Sequence, residues 1–306
     1  MMDPQRRLEL SRLLSRLDRL GPGDPLPELE DGRQPGEAFR IGVTGPLGAG
    51  KSTLINRLAG CYRRKDMTIG IIAVDPSSPF TGGALLGDRV RMSELARDEG
   101  VFIRSLATRG ASGGLAAGAV DSADLLDAAG FDRIIIETVG VGQAEVDIAG
   151  ACDAVVVVFE PGSGDSIQAM KAGLMEIADL FVVNKQDMPG ADRFLLDLET
   201  ILEMRAPAGR PDILTTAAAT GEGVAELCTW LEIYWTRVQG DDSLNKRRTG
   251  QRFDRIRRAV RDIVVREMWE SVPPEDIERA VKSDFPVKEA AYKLVSKYFS
   301  RRTGDR

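Results

Sequence analysis

The stretch Gly45-Pro46-Leu47-Gly48-Ala49-Gly50-Lys51-Ser52-Thr53 decides how this chain is read. It has the form G-x-x-x-x-G-K-[ST], a loop that wraps the phosphates of a nucleoside triphosphate. Its glycines let backbone N–H groups turn inward around anionic oxygens, at dihedral angles that a side chain would forbid. In that arrangement Lys51 reaches the β- and γ-phosphates and Ser52 sets a hydroxyl on Mg2+. Before the loop, Arg40-Ile41-Gly42-Val43-Thr44 reads as a strand. After it, Thr53 to Leu58 reads as a helix whose positive N-terminal end faces the phosphates.

Outward from this loop, strand and helix alternate from Arg40 to about Arg237. The expected strands are Ile41–Thr44, Thr68–Val74, Val101–Ser105, Arg133–Ile136, Ala154–Phe159, Leu180–Val183 and Ile213–Thr215. Several are unbroken runs of Val, Ile and Ala, as strands covered on both faces require. The fold class is therefore α/β, a doubly wound and largely parallel sheet, which binds its ligands at the carboxyl ends of the strands.

Helical extensions flank this region. Leu10, Leu13, Leu14, Leu17 and Leu20 form a helical stripe, and Gly21 to Gly36 is a Pro-, Gly- and acid-rich linker. The polar stretch Gln239 to Asn245 marks a boundary, and beyond it Phe253, Ile256, Val260, Ile263 and Val264 recur at helical spacing. Pro273-Pro274 breaks the chain, with Pro274 suited to the first turn of a new helix, and a third helix runs from Val287 to about Phe299. The expected division is an arm and linker over 1–36, a nucleotide-binding domain over 37–240 and a helical extension over 241–306. A stripe of this kind can bury itself against a second copy.

The composition narrows the function. A net charge of −6 argues against nucleic acid as a partner. No apolar run is long enough to span a membrane and the N-terminus lacks the apolar core of a signal peptide, so a cytoplasmic location is expected. Three cysteines, Cys61, Cys152 and Cys228, make neither a disulfide framework nor a C-x-x-C pair. The 306 residues include no histidine. That removes imidazole as base, nucleophile or metal ligand, and with it a histidine-rich nickel store and the D-x-H-x-x-G cobalamin motif.

The remaining motifs follow strands. Asn184-Lys185-Gln186-Asp187 has the N-K-x-D form that reads guanine. A carboxylate at Asp187 accepts from both N1–H and the 2-amino group, donors that adenine lacks. Asn184 can hold the neighbouring loops and Lys185 can pack its stem over the ring. Thr216-Ala217-Ala218 is similar to the S-A-x segment that supports the guanine O6. Glu137-Thr138-Val139-Gly140 ends an apolar strand where G proteins have D-x-x-G, so Glu137 is a Mg2+-side acid and the Gly140 N–H a γ-phosphate donor. Val141 stands where a water-orienting glutamine could follow, which implies weak hydrolysis by the chain alone. Asp75 in Val74–Pro79 is a second acid for the Mg2+ shell. Gly82 to Asp88, with Arg89 and Arg91 after it, and Thr108–Leu115 are Gly-rich candidate switch loops.

Taken together, these motifs resemble the metallochaperone GTPases of the SIMIBI class, and within them the MeaB/ArgK group that serves cobalamin-dependent acyl-CoA mutases. The residues that carry the resemblance are Gly45–Thr53, Val74–Pro79, Leu86-Gly87-Asp88-Arg89, Thr108–Leu115, Glu137–Gln143, Pro161–Gln168 and Asn184–Asp187. It implies a P-loop fold, GTP/GDP and Mg2+ as ligands, and a homodimer paired through C-terminal helices. It also implies hydrolysis coupled to a mutase, with adenosylcobalamin met only through that partner. Glu137, Asp75, Ser52 and Asp88 are then the Mg2+-side residues, with Asp88 in the first switch loop. Gln168 and Lys171 respond to the mutase, and a Lys171 ammonium moved to the phosphates adds transition-state charge. Ser112, where the group more often has an apolar residue, and the loosely similar carboxyl tail are departures. The competing classes are a nickel-type insertion GTPase, which needs ligands this chain lacks, and a P-loop kinase or transport ATPase, against which Asn184–Asp187 argues.

Overall fold

Strands without a polar break need cover on both faces, and β5 (Ala154–Phe159) and β4 (Arg133–Thr138) are buried along their whole length. In the computed structural model the described residues are 3–17, 19–21, 24–29, 32, 36–75, 95–107, 117–138, 144–162, 173–205 and 210–303. They include five further strands: β1 (Phe39–Thr44), β2 (Ile69–Asp75), β3 (Val101–Ala107), β6 (Leu180–Asn184) and β7 (Asp212–Thr216). The seven form one sheet in the order β3-β2-β4-β1-β5-β6-β7. Every pairing is parallel, so the sheet goes beyond the largely parallel one expected.

Most strands run a residue or two past their expected ends, because parallel pairing continues wherever a neighbour offers register. Asn184, for example, pairs with Thr216. At Thr68 the opposite holds. Its N–H and hydroxyl both donate to the Asp132 carboxylate at 2.7 Å, and β2 starts one residue later.

Helix α1 (Pro4–Leu17) buries Leu10, Leu14 and Leu17 and packs on α3 (Ala117–Ala128). Helix α2 (Lys51–Arg63) starts at the phosphate loop and packs on α5 (Val224–Gly240); α4 (Ala191–Arg205) lies between β6 and β7 in sequence. The core between α2, α5 and the sheet holds Ile41, Val43, Leu54, Leu58, Leu227 and Leu231, with the Phe39 and Trp235 rings stacked at 4.6 Å. Cys61 and Cys228, distant in sequence, meet where α2 and α5 pack. Burial, helped by the Cys61 neighbour, pushes the Cys228 thiol up to about 12.

Two compact units divide the chain, Met1–Arg19 with Leu26–Thr249, and Leu20–Pro25 with Gly250–Arg306. Helix α6 (Ser243–Ser271) begins in the first. There Arg247 bonds Asp179 at 2.7 and 2.8 Å, and Arg248 bonds Asp153 at 2.7 and 2.8 Å. The Asp179 hydrogen bonds, before any other cause, raise the Arg247 pKa above its ordinary value. In the second unit α7 (Pro274–Val281) opens on Pro274, and α8 (Val287–Thr303) reaches back to it through Lys297 and the buried Asp276 at 2.7 Å. Among the described residues no helix is long and apolar enough to cross a membrane.

Candidate functional site

The central strands β4, β1, β5 and β6 are neighbours, so their carboxyl ends gather four loops side by side. Strand order reverses around β1, the place where sheets of this kind bind their ligands. The phosphate loop fills the end of β1, and its shape depends on glycine. Gly45 has φ +137°, and a Cβ there would stand 2.0 Å from the Val158 carbonyl oxygen. Gly50, at φ +85°, precedes α2 and packs so closely on Asn184 that a Cβ would come within 2.4 Å of its amide nitrogen. Lys51 is buried and its ammonium donates to the carbonyls of Gly45 and Pro46 at 2.7 and 2.9 Å, across its own loop. Leu47 and Gly48 are exposed at the tip.

Ser52 and Glu137, 85 residues apart in sequence, meet: the Ser52 hydroxyl donates to the Glu137 carboxylate at 2.6 Å. The Glu137 residue is only 3% exposed. A hydroxyl and a buried carboxylate beside a phosphate loop form the hard-oxygen edge that Mg2+ takes, so the residues present fit that ion. Behind them the Thr138 hydroxyl donates to that of Thr44 at 2.8 Å, and Thr44 donates to the Glu145 carbonyl at 3.4 Å. Glu145 itself is buried, and that desolvation raises its carboxyl above the ordinary value while the Lys51 charge pulls partly the other way.

Asn184 joins the two motifs. Its Nδ2 donates to the Ala49 carbonyl in the phosphate loop at 2.8 Å. Its Oδ1 accepts from the Thr216 hydroxyl and the Ala218 N–H, both at 3.0 Å. One buried amide thus fixes the phosphate loop against Thr216–Ala218. The next residue, Lys185, sits in left-handed backbone at φ +59°, which turns the chain so that Asp187 stands exposed. Gln186 N–H closes the turn on the Thr216 carbonyl at 3.0 Å.

Of the residues expected from sequence, Gly45 to Thr53, Glu137, Asn184, Lys185, Asp187, Thr216, Ala217 and Ala218 therefore lie at or just beyond the carboxyl ends of β1, β4, β6 and β7. Asp75 ends β2, which pairs with β4 so that Ala73 faces Glu137; its side chain lies outside the described residues. Asp88, Gly140, Gln168 and Lys171 lie outside the described residues, as do the loops Gly82 to Arg91 and Thr108–Leu115.

Three participants escaped the sequence reading. Arg57 on α2 donates to the carbonyls of Ala218 and Ala219 at 3.1 and 2.6 Å. Nothing in its helical pattern marks it. Glu145 lies just beyond Glu137–Gln143, outside every motif. Glu160 ends the run Ala154–Phe159 as Glu137 ends its own, and that parallel was the available signal.

Comparison with known proteins decides the family. The family model described as methylmalonyl-CoA mutase-associated GTPase MeaB matches residues 30–272. The chain belongs to the MeaB family. A Pyrococcus abyssi protein whose name marks it as a GTPase is 44% identical over 252 residues, covering 81% of this chain and 78% of that one. GTPase ArgK of Escherichia coli is 36% identical over 250 residues, 80% of this chain and 75% of the relative. A solved structure named LAO/AO transport system kinase matches with a TM-score of 0.66 at 25% identity, over 98% of this chain and 99% of that one. As a member of the MeaB family, the chain is a P-loop GTPase that binds guanine nucleotide and hydrolyses GTP.

Proposed function

We propose that this GTPase is a chaperone for a cobalamin-dependent acyl-CoA mutase, gating delivery of adenosylcobalamin to it and protecting it. The family description, which names a methylmalonyl-CoA mutase, carries the reading. A Caenorhabditis elegans relative named methylmalonic aciduria type A homolog, mitochondrial, supports it; that protein is 36% identical over 220 residues, 70% of this chain and 55% of its own. The absence of histidine counts against a metal-insertion GTPase.

In this proposal residues 37–240 form the GTPase domain, and Lys51 with the loop N–H groups binds the β- and γ-phosphates. Asp187 reads the guanine edge, with Thr216–Ala218 at the O6 side. Ser52, Glu137, Asp75 and Asp88 hold Mg2+, which supplies neutralisation of charge on the phosphate oxygens. Ser52 donates to Glu137, so one hydrogen bond holds these two oxygens side by side. Gln168 and Lys171, in an additional switch that begins at Pro161, respond to the mutase, and the Lys171 ammonium completes the phosphate environment when the mutase binds.

The protein pairs as a homodimer through residues 241–306. What supports this is α6: of its 29 residues none is buried, and Phe253, Ile256, Val260 and Val264 share one face while exposed. An apolar stripe this long on a stable helix is covered in the working protein.

The test is GTP turnover alone and with a cobalamin-dependent acyl-CoA mutase from the same genome, beside Lys171→Ala. Turnover that rises many-fold with the mutase in the wild type and not in the variant is the expected result. No rise with any such mutase removes the partner assignment and leaves the GTPase standing.

A further inference from the structure

Strand β5 lies between β1 and β6, so whatever follows Phe159 stands between the phosphate loop and the base loop. The register places it closely: Val157 pairs with Thr44, and Phe159 with Val183. The residue at that point is Glu160. One of its carboxylate oxygens takes the Lys185 ammonium in a hydrogen-bonded ion pair. The other packs on the phosphate loop, 3.1 Å from where a Cβ on Gly48 would be. A single carboxylate thus touches both halves of the nucleotide site.

We propose that Glu160 is a positioning residue for guanine nucleotide, acting through Lys185. The idea rests on Asn184–Asp187 being the base site. Lys185 carries a long, flexible stem on a left-handed backbone, an arrangement that leaves its ammonium free to roam in water unless something holds it. Glu160 is that hold. Its side chain is 15% exposed and it rises directly from a buried strand, so little of its own freedom is lost in making the pair. Lys185, at 36% exposure, is held beside the end of β5 by this pair. Asn184 fixes the loops to each other from below; Glu160 fixes Lys185 from the side. The ligand class is the guanine nucleoside di- or triphosphate, and the consequence is tighter and longer-lived binding through preorganisation.

The experiment is a double-mutant cycle on the full chain, read by equilibrium binding and dissociation of fluorescent mant-GDP. The variants are Glu160→Gln, Glu160→Asp, Lys185→Met and the pair Glu160→Gln with Lys185→Met. Glu160→Gln keeps the shape and removes the charge; Lys185→Met keeps the apolar stem. Glu160→Gln weakens binding by about three- to tenfold, the scale of a half-exposed ion pair, mostly as faster dissociation. Glu160→Asp restores part of the loss. In the Lys185→Met background Glu160→Gln has no further effect, because its partner is already gone. Equal losses in both backgrounds overturn the proposal, since Glu160 would then act on something other than Lys185; so does the absence of any loss. A melting temperature measured beside each variant separates unfolding from weakened binding; an early-melting Glu160→Gln is replaced in the cycle by Glu160→Ala, and an early-melting Lys185→Met by Lys185→Gln. Wild-type chain that binds GTP no tighter than ATP defeats the base-site assignment itself, a result distinct from either failure of Glu160.

Discussion

The nucleotide site and helix α6 handle their side chains in opposite ways. Around the nucleotide site the following side chains are occupied within the chain: Lys51 on its own loop, Ser52 on Glu137, Asn184 on three partners, Arg57 on two carbonyls. The packing there leaves no room for a methyl group at Gly45 or Gly50. Helix α6 is the reverse. It is the longest helix described, it buries no residue, and Phe253, Ile256, Val260 and Val264 are exposed on it. The first region is set within one chain; the second is the face that the proposed homodimer covers. A site that must hold a small charged ligand gains from preorganisation, and a surface that meets another protein does not need it until that protein arrives.

The contrast can be broken first at Gly45. Gly45→Ala drives a Cβ into the Val158 carbonyl at a positive φ, so the chain should lose about 3 kcal/mol or more of stability, read by chemical denaturation, together with its nucleotide binding. A variant as stable as wild type would show that the loop is not packed as tightly as its geometry requires. Next in size is the outward face of α6. Ile256→Asp with Val260→Asp should weaken self-association by about a hundredfold or more, by light scattering across concentration, while mant-GDP affinity stays within about twofold. A monomeric variant that also lost nucleotide would join two regions here held apart.

The smallest effect belongs to Glu145. Burial raises its folded carboxyl above the unfolded value, so its contribution is fully present below the ordinary glutamate range and is lost as pH rises through the raised value. Glu145→Gln should therefore gain melting temperature relative to wild type, by less than about 3 °C, as pH goes from acid to neutral in nucleotide-free chain. A difference that does not change with pH would mean that Glu145 is as well solvated in the folded chain as in the unfolded one.

Most of the fold was legible because it is local or periodic. Apolar runs such as Ala154–Phe159 announce buried parallel strands, and Pro274 announces the start of α7. The phosphate and guanine motifs were legible because each is a short segment whose backbone must take one shape. The links between segments were not. Glu160 meets Lys185 only because β5 sits between β1 and β6, and Arg57 meets Ala218 only because α2 runs past the end of β7; sheet order decides both. Thr68 was misplaced by one residue for the same reason, since Asp132 captures its N–H and hydroxyl.

The central claim is that Gly45–Thr53 and Asn184–Asp187 make one guanine-triphosphate site, with Asp187 reading the base. Competition of GTP and xanthosine triphosphate against mant-GDP, in wild type and Asp187→Asn, tests it most directly. A carboxylate accepts from the 2-amino group of guanine, whereas an amide donates to the 2-oxo group of xanthine. The variant should lose about a hundredfold in GTP affinity and come to prefer xanthosine triphosphate. Unchanged preference for GTP in Asp187→Asn would contradict the account, because the base would then be read somewhere else.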